Sequence, residues 1–110
     1  MLLALILAAV APGQSGSCGG STPVAGDRAA ARTIAEATIR SRPAMRPVAA
    51  AAAAGRPYRL VVEADRDDAG QWSAFQVPPR SGPRSQRGGG GLEFRIDRCT
   101  GAISQMHYSR

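Results

Sequence analysis

Two cysteines, one histidine, one acidic run and one glycine run are the features of this 110-residue chain whose residue types and spacing could support chemistry. His107 is the sole histidine, so a multi-histidine metal site is excluded, and Cys18, Cys99 and His107 do not have metal-ligand spacing. Cys99 and His107 could face each other across a C-terminal hairpin as a nucleophile and its base. Cys99 falls in a turn, however, with no orienting carboxylate or oxyanion hole evident around it. "DRDDAG", residues 65–70, opens like a calcium loop, with carboxylates at the first and third positions and glycine at the sixth. Its fifth position is Ala69 and its twelfth is Gln76, where a bidentate glutamate is required, so the run reads as a polar hairpin turn. "RGGGG", residues 87–91, lacks the following helix and the Lys and Ser or Thr that a phosphate loop needs. The glycines run instead into alternating residues, as the approach to a strand. The chain is therefore expected to be neither an enzyme nor a carrier of a metal or cofactor.

The formal charge is +6, and all fourteen basic side chains are arginine. With the abundance of Ala, Gly and Pro, that bias fits a GC-rich coding sequence better than a surface selected for nucleic acid. Two Phe, two Tyr and one Trp are too few for base-stacking platforms, so no nucleic-acid partner is expected. Arg80, Arg84 and Arg87 share one polar stretch and are the candidate contacts for a protein partner.

The first element to place is the apolar run "MLLALILAAVA", too short by about half to span a bilayer and followed by small and polar residues. Residues 1–20 read as a signal peptide or a lipoprotein signal. Cys18 has three fates open to it: lipidation, although Ser15 stands where a lipobox wants a Leu-like residue; a disulfide with Cys99; or a free thiol. A bridge closing so long a loop would stabilise the fold by about 4 kcal/mol through chain entropy. The expected location is periplasmic or secreted, with membrane contact only through a lipid anchor.

Residues 21–26 read as a flexible tether, and residues 27–110 as one domain. Asp27 suits the N-cap of a helix in which Ala30, Ile34, Ala37 and Ser41 recur at helical spacing, with Ile39 broadening the stripe and Pro43 ending it. The alanine run from Pro47 to Ala54, closed by Gly55, reads as a short second helix or a linker. From Tyr58 the period becomes two. "YRLVVEADRD" and "QWSAFQV" form a hairpin that Pro78 and Pro79 terminate. A mobile Arg/Gly-rich loop is expected at 78–91, and then "LEFRID" and "AISQMHYS" make a second hairpin about "DRCTG", with Ile103 facing Ile96. Helices followed by strands imply an α+β fold, one long N-terminal helix and a short second one on a four-stranded antiparallel sheet.

The succession "RTIAEATI", "PY", "QWSAFQV", a glycine pair and "LEFRIDRCTGAI" resembles small bacterial immunity proteins with a nuclear-transport-factor-like fold. "FRIDRCTGAIS" is similar to the C-terminal hairpin of PepSY-type domains, with their Ile-Asp-x-x-Thr-Gly-x-Ile pattern. The likeness spans Arg32 to Tyr108. It implies fold-making roles for Trp72 in its strand, for Gly90 and Gly91 as the glycine pair, and for Asp97, Thr100 and Gly101 in the turn. It implies no catalytic residue, and a function of binding and neutralising a toxin or another exported protein. The other expectation is a small cell-envelope lipoprotein or structural domain without a dedicated antagonist.

Overall fold

The structure, a computed structural model, describes residues 18–79 and 89–109. Its elements run α1 (Arg28–Arg40), α2 (Arg46–Ala53), β1 (Arg59–Ala64), β2 (Gln71–Val77), β3 (Leu92–Asp97) and β4 (Ile103–Tyr108). The strands form one antiparallel meander in the order β1-β2-β3-β4, and the two helices pack on it, which is an α+β fold.

Helix α1 starts where Asp27, in extended conformation, accepts a hydrogen bond from the Ala30 amide at 2.8 Å. That bond satisfies one of the donors a helix start leaves unpaired. At the other end the Ser41 amide returns to the Ala37 carbonyl at 3.1 Å and its hydroxyl donates to the Thr38 carbonyl at 2.7 Å. The buried stripe is Ala31 and Ala35, flanked by half-buried Ile34 and Ile39, so it lies beside the expected Ala30 and Ala37. The helix carries alanine on several faces, and periodicity in so small a side chain does not say which face is covered. Ala31 and Ala35 belong to the same buried cluster as Trp72 and Phe94, and side chains this small let a helix backbone come close to a sheet.

Residues 46–53 are helical. Pro47 occupies the first turn, where its missing N–H costs nothing. Gly55, at φ +77°, closes α2: its amide reaches the Ala52 carbonyl at 3.0 Å and the Arg56 amide reaches the Ala51 carbonyl at 2.9 Å. Those two bonds define a Schellman cap, for which the left-handed residue is normally glycine. No residue of α2 is fully buried, and the start of α2 meets the sheet where Met45 and Pro47 pack against buried Gly90.

The strand register carries one apolar face through all four strands. Val62 lies opposite Ala74, and Ala74 opposite Phe94, while Trp72, Ile96 and Ile103 form a second row. Ile96, fully buried, is at the centre of this core, and Ile103 pairs with it as the alternation implies. Between Glu93 and Arg95 the register of β4 shifts by one residue, at Gln105, whose φ is +53°. This β-bulge changes the parity of the strand. Met106 and Tyr108 consequently pack on the core, and His107 joins the opposite face beside Glu93.

Residues 21–26, expected as a flexible tether, are instead fixed, together with residues 18–20, beside the β3–β4 turn. The amides of Val24 and Ala25 donate to the carbonyls of Cys99 and Arg98 at 3.0 and 2.9 Å, Ala25 is fully buried, and Cys18 is bridged to Cys99. Arg98 completes the attachment, its guanidinium lying 4.1 Å from the Trp72 ring centroid while Nε donates to the Ala69 carbonyl and Nη1 to that of Gly26.

Candidate functional site

The strand residues of the main core cluster lie on the helix-covered side of the sheet, while Phe75 and Val77 are buried on the other. On the other side the pairings set two rows of side chains across the strands, Val61–Phe75–Glu93–His107 and Glu63–Ser73–Arg95–Ser104. Together with the β1–β2 turn they enclose a shallow trough of about 630 Å³, to which no helix residue contributes. Phe75 and the backbone beneath it form the floor. The rim holds four carboxylates, Glu63, Asp65, Asp67 and Glu93, against two guanidiniums, Arg66 and Arg95, so the trough is acidic in a chain of net charge +6.

The polar groups of the trough are tied to one another. Ser73 donates its hydroxyl hydrogen to Asp65 at 2.7 Å, and Arg95 Nε lies 3.2 Å from the same carboxylate oxygen. The Asp65 side chain, only 6% exposed, also accepts from the Asp67 amide at 3.1 Å. The Ser73 hydroxyl holds the carboxyl below its ordinary value; burial raises it, and the Asp67 amide and Arg95 lower it further. His107 Nε2 lies 3.4 Å from Glu93 Oε1, and its Nδ1 lies 3.1 Å from the Gln105 carbonyl oxygen. Ser73 is thus committed to a carboxylate already held by an arginine. An apolar floor beside several carboxylates, of which Asp65 and Glu93 are held by neighbours, can receive a cationic side chain through charge-assisted hydrogen bonds.

The "DRDDAG" run forms the β1–β2 turn. Asp68 accepts from the Gly70 amide at 2.9 Å and its carbonyl from the Gln71 amide at 3.0 Å, so Asp65 and Asp68 serve the turn itself. Trp72 is 5% exposed and donates Nε1–H to the Ala25 carbonyl. Gly90 and Gly91 lead into β3, where Gly91 passes so close to β2 that a Cβ on it would lie 2.7 Å from the Gln76 carbonyl oxygen. Asp97 accepts from the amides of Cys99 and Thr100 at 2.8 and 2.9 Å, and the Thr100 hydroxyl accepts from Ala102 at 3.1 Å. Gly101, at φ +76°, packs under Val24.

Cys18 and Cys99 form a disulfide with a Cα–Cα distance of 5.3 Å. Of the fates the sequence leaves open to Cys18, the structure therefore holds the bridge, and a sulfur so bonded cannot also carry a lipid thioether. Cys99 retains no thiol, and the hairpin separates it from His107, which sits at the other end of β4. The disulfide points to an oxidising, extracytoplasmic location, and among the described residues no helix is long and apolar enough to cross a membrane. The apolar run at 1–11 and the arginines Arg80, Arg84 and Arg87 lie outside the described residues.

Glu63, Asp65, Ser73, Phe75, Glu93, Arg95 and His107 were not singled out together by the sequence reading. Strand alternation does place the first six opposite the apolar face. His107 joins them only through the bulge.

Comparison of the chain with family models, with curated proteins and with solved structures finds no match.

Proposed function

We propose that this chain is an exported, non-catalytic protein-binding domain, of the immunity or inhibitor kind, and that its open sheet face receives a cationic segment of a protein partner. The observation that carries the reading is the acidic trough with Phe75 in its floor, on the side of the sheet that no helix among the described residues covers. An apolar centre within a polar rim is the general anatomy of a protein-recognition surface. The fixed Asp65–Ser73–Arg95 network supports it, because pre-organised charges lose little entropy on binding. The disulfide adds the rigidity and the compartment that an exported binder requires. The resemblance to immunity proteins and to PepSY hairpins agrees with this role.

Site-specific photocrosslinking tests it in the native extracytoplasmic fraction. A photoreactive residue at Arg66, on the trough rim, should capture one protein, and the adduct should be lost when Asp67→Asn and Glu93→Gln are added. The same probe at Thr33, on the exposed side of α1, should not capture it. An adduct insensitive to the carboxylates, one formed equally from Thr33, or none from Arg66 would overturn the reading and leave the envelope structural domain in its place.

A further inference from the structure

An open four-stranded sheet has two edges, and this chain treats them differently. The outer edge of β4 is broken by the bulge at Gln105, a common device against pairing with another chain. The outer edge of β1 has no such break: its register with β2 is continuous from Arg59 to Ala64, and no proline interrupts it. Which backbone groups face outward follows from one bond. The Asp65 amide donates to Gln71 of β2, so alternation turns Arg59, Val61 and Glu63 inward toward β2, and Leu60, Val62 and Ala64 outward.

The segment "RLVVE", residues 59–63, is complementary to itself when reversed. Laid antiparallel to a second copy about a two-fold axis through Val61, Leu60 falls opposite Val62′ and Arg59 opposite Glu63′, where the prime marks the second copy. Every pairing keeps its face. Leu60 and Val62′ meet on the helix-covered side and extend the core, while Arg59 and Glu63′ meet on the open side. The backbone agrees: Leu60 and Val62, whose N–H and C=O groups point outward, become the pairs that exchange hydrogen bonds. Val61, whose groups point inward, falls at the axis as a non-hydrogen-bonded pair, and so do Arg59 and Glu63′, at the spacing where side chains approach most closely. A shift of the register by two residues would instead set Glu63 against Val61′.

We propose that β1 is a homodimerisation edge, and that two copies of this chain join there into one continuous eight-stranded sheet, twice the four strands of each. The partner is a second copy because the charges and the apolar side chains of the edge match their own reversed order. The dimer would set the two acidic troughs side by side on one surface, since Glu63 belongs to both the edge and the trough rim.

Sedimentation equilibrium of the oxidised, exported protein should show a dimer. Arg59→Glu places two carboxylates opposite each other at both ends of the contact and should weaken association about tenfold or more. Glu63→Arg should do the same with two guanidiniums. The double exchange Arg59→Glu with Glu63→Arg restores opposite charges and should restore the dimer, while far-UV circular dichroism reports that each variant is folded. In an otherwise unchanged chain, Val61→Cys should crosslink to its symmetry mate on mild oxidation, because such a pair lies about 4.5 Å apart at Cα, within disulfide reach. Thr33→Cys should not. A protein that stays monomeric up to about 1 mM, single exchanges without effect, a double exchange that fails to recover association, or no Val61→Cys crosslink would each overturn the proposal.

Discussion

The Trp72 indole nitrogen donates to the Ala25 carbonyl oxygen at 2.7 Å across 47 residues of sequence, joining the sheet core to the segment that precedes α1. Arg98 lies over a face of the same ring and donates to the adjoining Gly26 carbonyl at 3.1 Å. One side chain thus fills the core, anchors the N-terminal segment and supports the β3–β4 turn.

Trp72→Ala should destabilise the protein by about 3 kcal/mol or more, the usual cost of removing a buried aromatic side chain. Trp72→Phe keeps most of the apolar contact but leaves the Ala25 carbonyl without its donor, and should cost about 1–3 kcal/mol. Urea titrations of both variants check this, and an unchanged midpoint for Trp72→Phe would show that solvent replaces the indole.

Reduction of the Cys18–Cys99 bridge should remove about 4 kcal/mol of stability, because it frees a long loop in the unfolded chain. For a domain of this size the loss corresponds to a fall in Tm of about 15 °C or more. Calorimetry with and without a phosphine reductant measures it. A much smaller shift would mean that the reduced unfolded chain keeps Cys18 near Cys99.

Two glycine substitutions should differ for a reason visible only in three dimensions. Gly91→Ala drives a methyl group against the β2 backbone at the Gln76 carbonyl, and should cost about 1–3 kcal/mol through overpacking. Gly55→Ala meets open space and carries only the left-handed strain of φ +77°, about 1–2 kcal/mol. The crosslinked sheet should respond cooperatively to the first, while the second frays α2, so hydrogen exchange in β3 separates them.

Acid should weaken the fold through Asp97 and Asp65. The Thr100 amide, and then that of Cys99, hold the Asp97 carboxyl below its ordinary value of 3.8 despite burial, and Asp65 is held below the same value first by Ser73. Each carboxyl is more acidic folded than unfolded, so its contribution is complete above about pH 4–5 and is lost as pH falls through the lowered folded values. Asp97→Asn keeps an acceptor for the turn amides without the charge, and should cost about 1 kcal/mol at neutral pH while shrinking the acid-induced loss. Melting curves from pH 7 down to about 2 give both quantities.

The four strands were legible because each is bounded by turn residues, and in the third the alternation is clean: "LEFRID" buries Leu92, Phe94 and Ile96 on one face and leaves Glu93, Arg95 and Asp97 on the other. The start and stop of α1 were legible through Asp27 and Pro43, whereas the alanine run from Pro47 left helix and linker open, because identical small side chains mark no packing face. Packing that depends on distant partners was not legible. Nothing near Ala31 distinguishes it from Ala30; the buried cluster it joins includes Trp72 and Phe94, more than forty residues away. Gln105 is an ordinary residue in a left-handed conformation, so no glycine marks the bulge that brings His107 to Glu93. The trough was hidden with it, since its carboxylates come from two strands and a turn and meet only once the register is set.

The Cys18–Cys99 bond turns the polypeptide into a ring with a tail: both helices and the first three strands lie within the ring, and β4 alone lies beyond it. A protease that severs one peptide bond inside the ring opens it without dividing the molecule, and the loosened ends remain tethered where they can re-dock. Beyond Cys99 a single cut suffices to shed the last strand, so the C-terminal hairpin is where degradation gains its first irreversible hold.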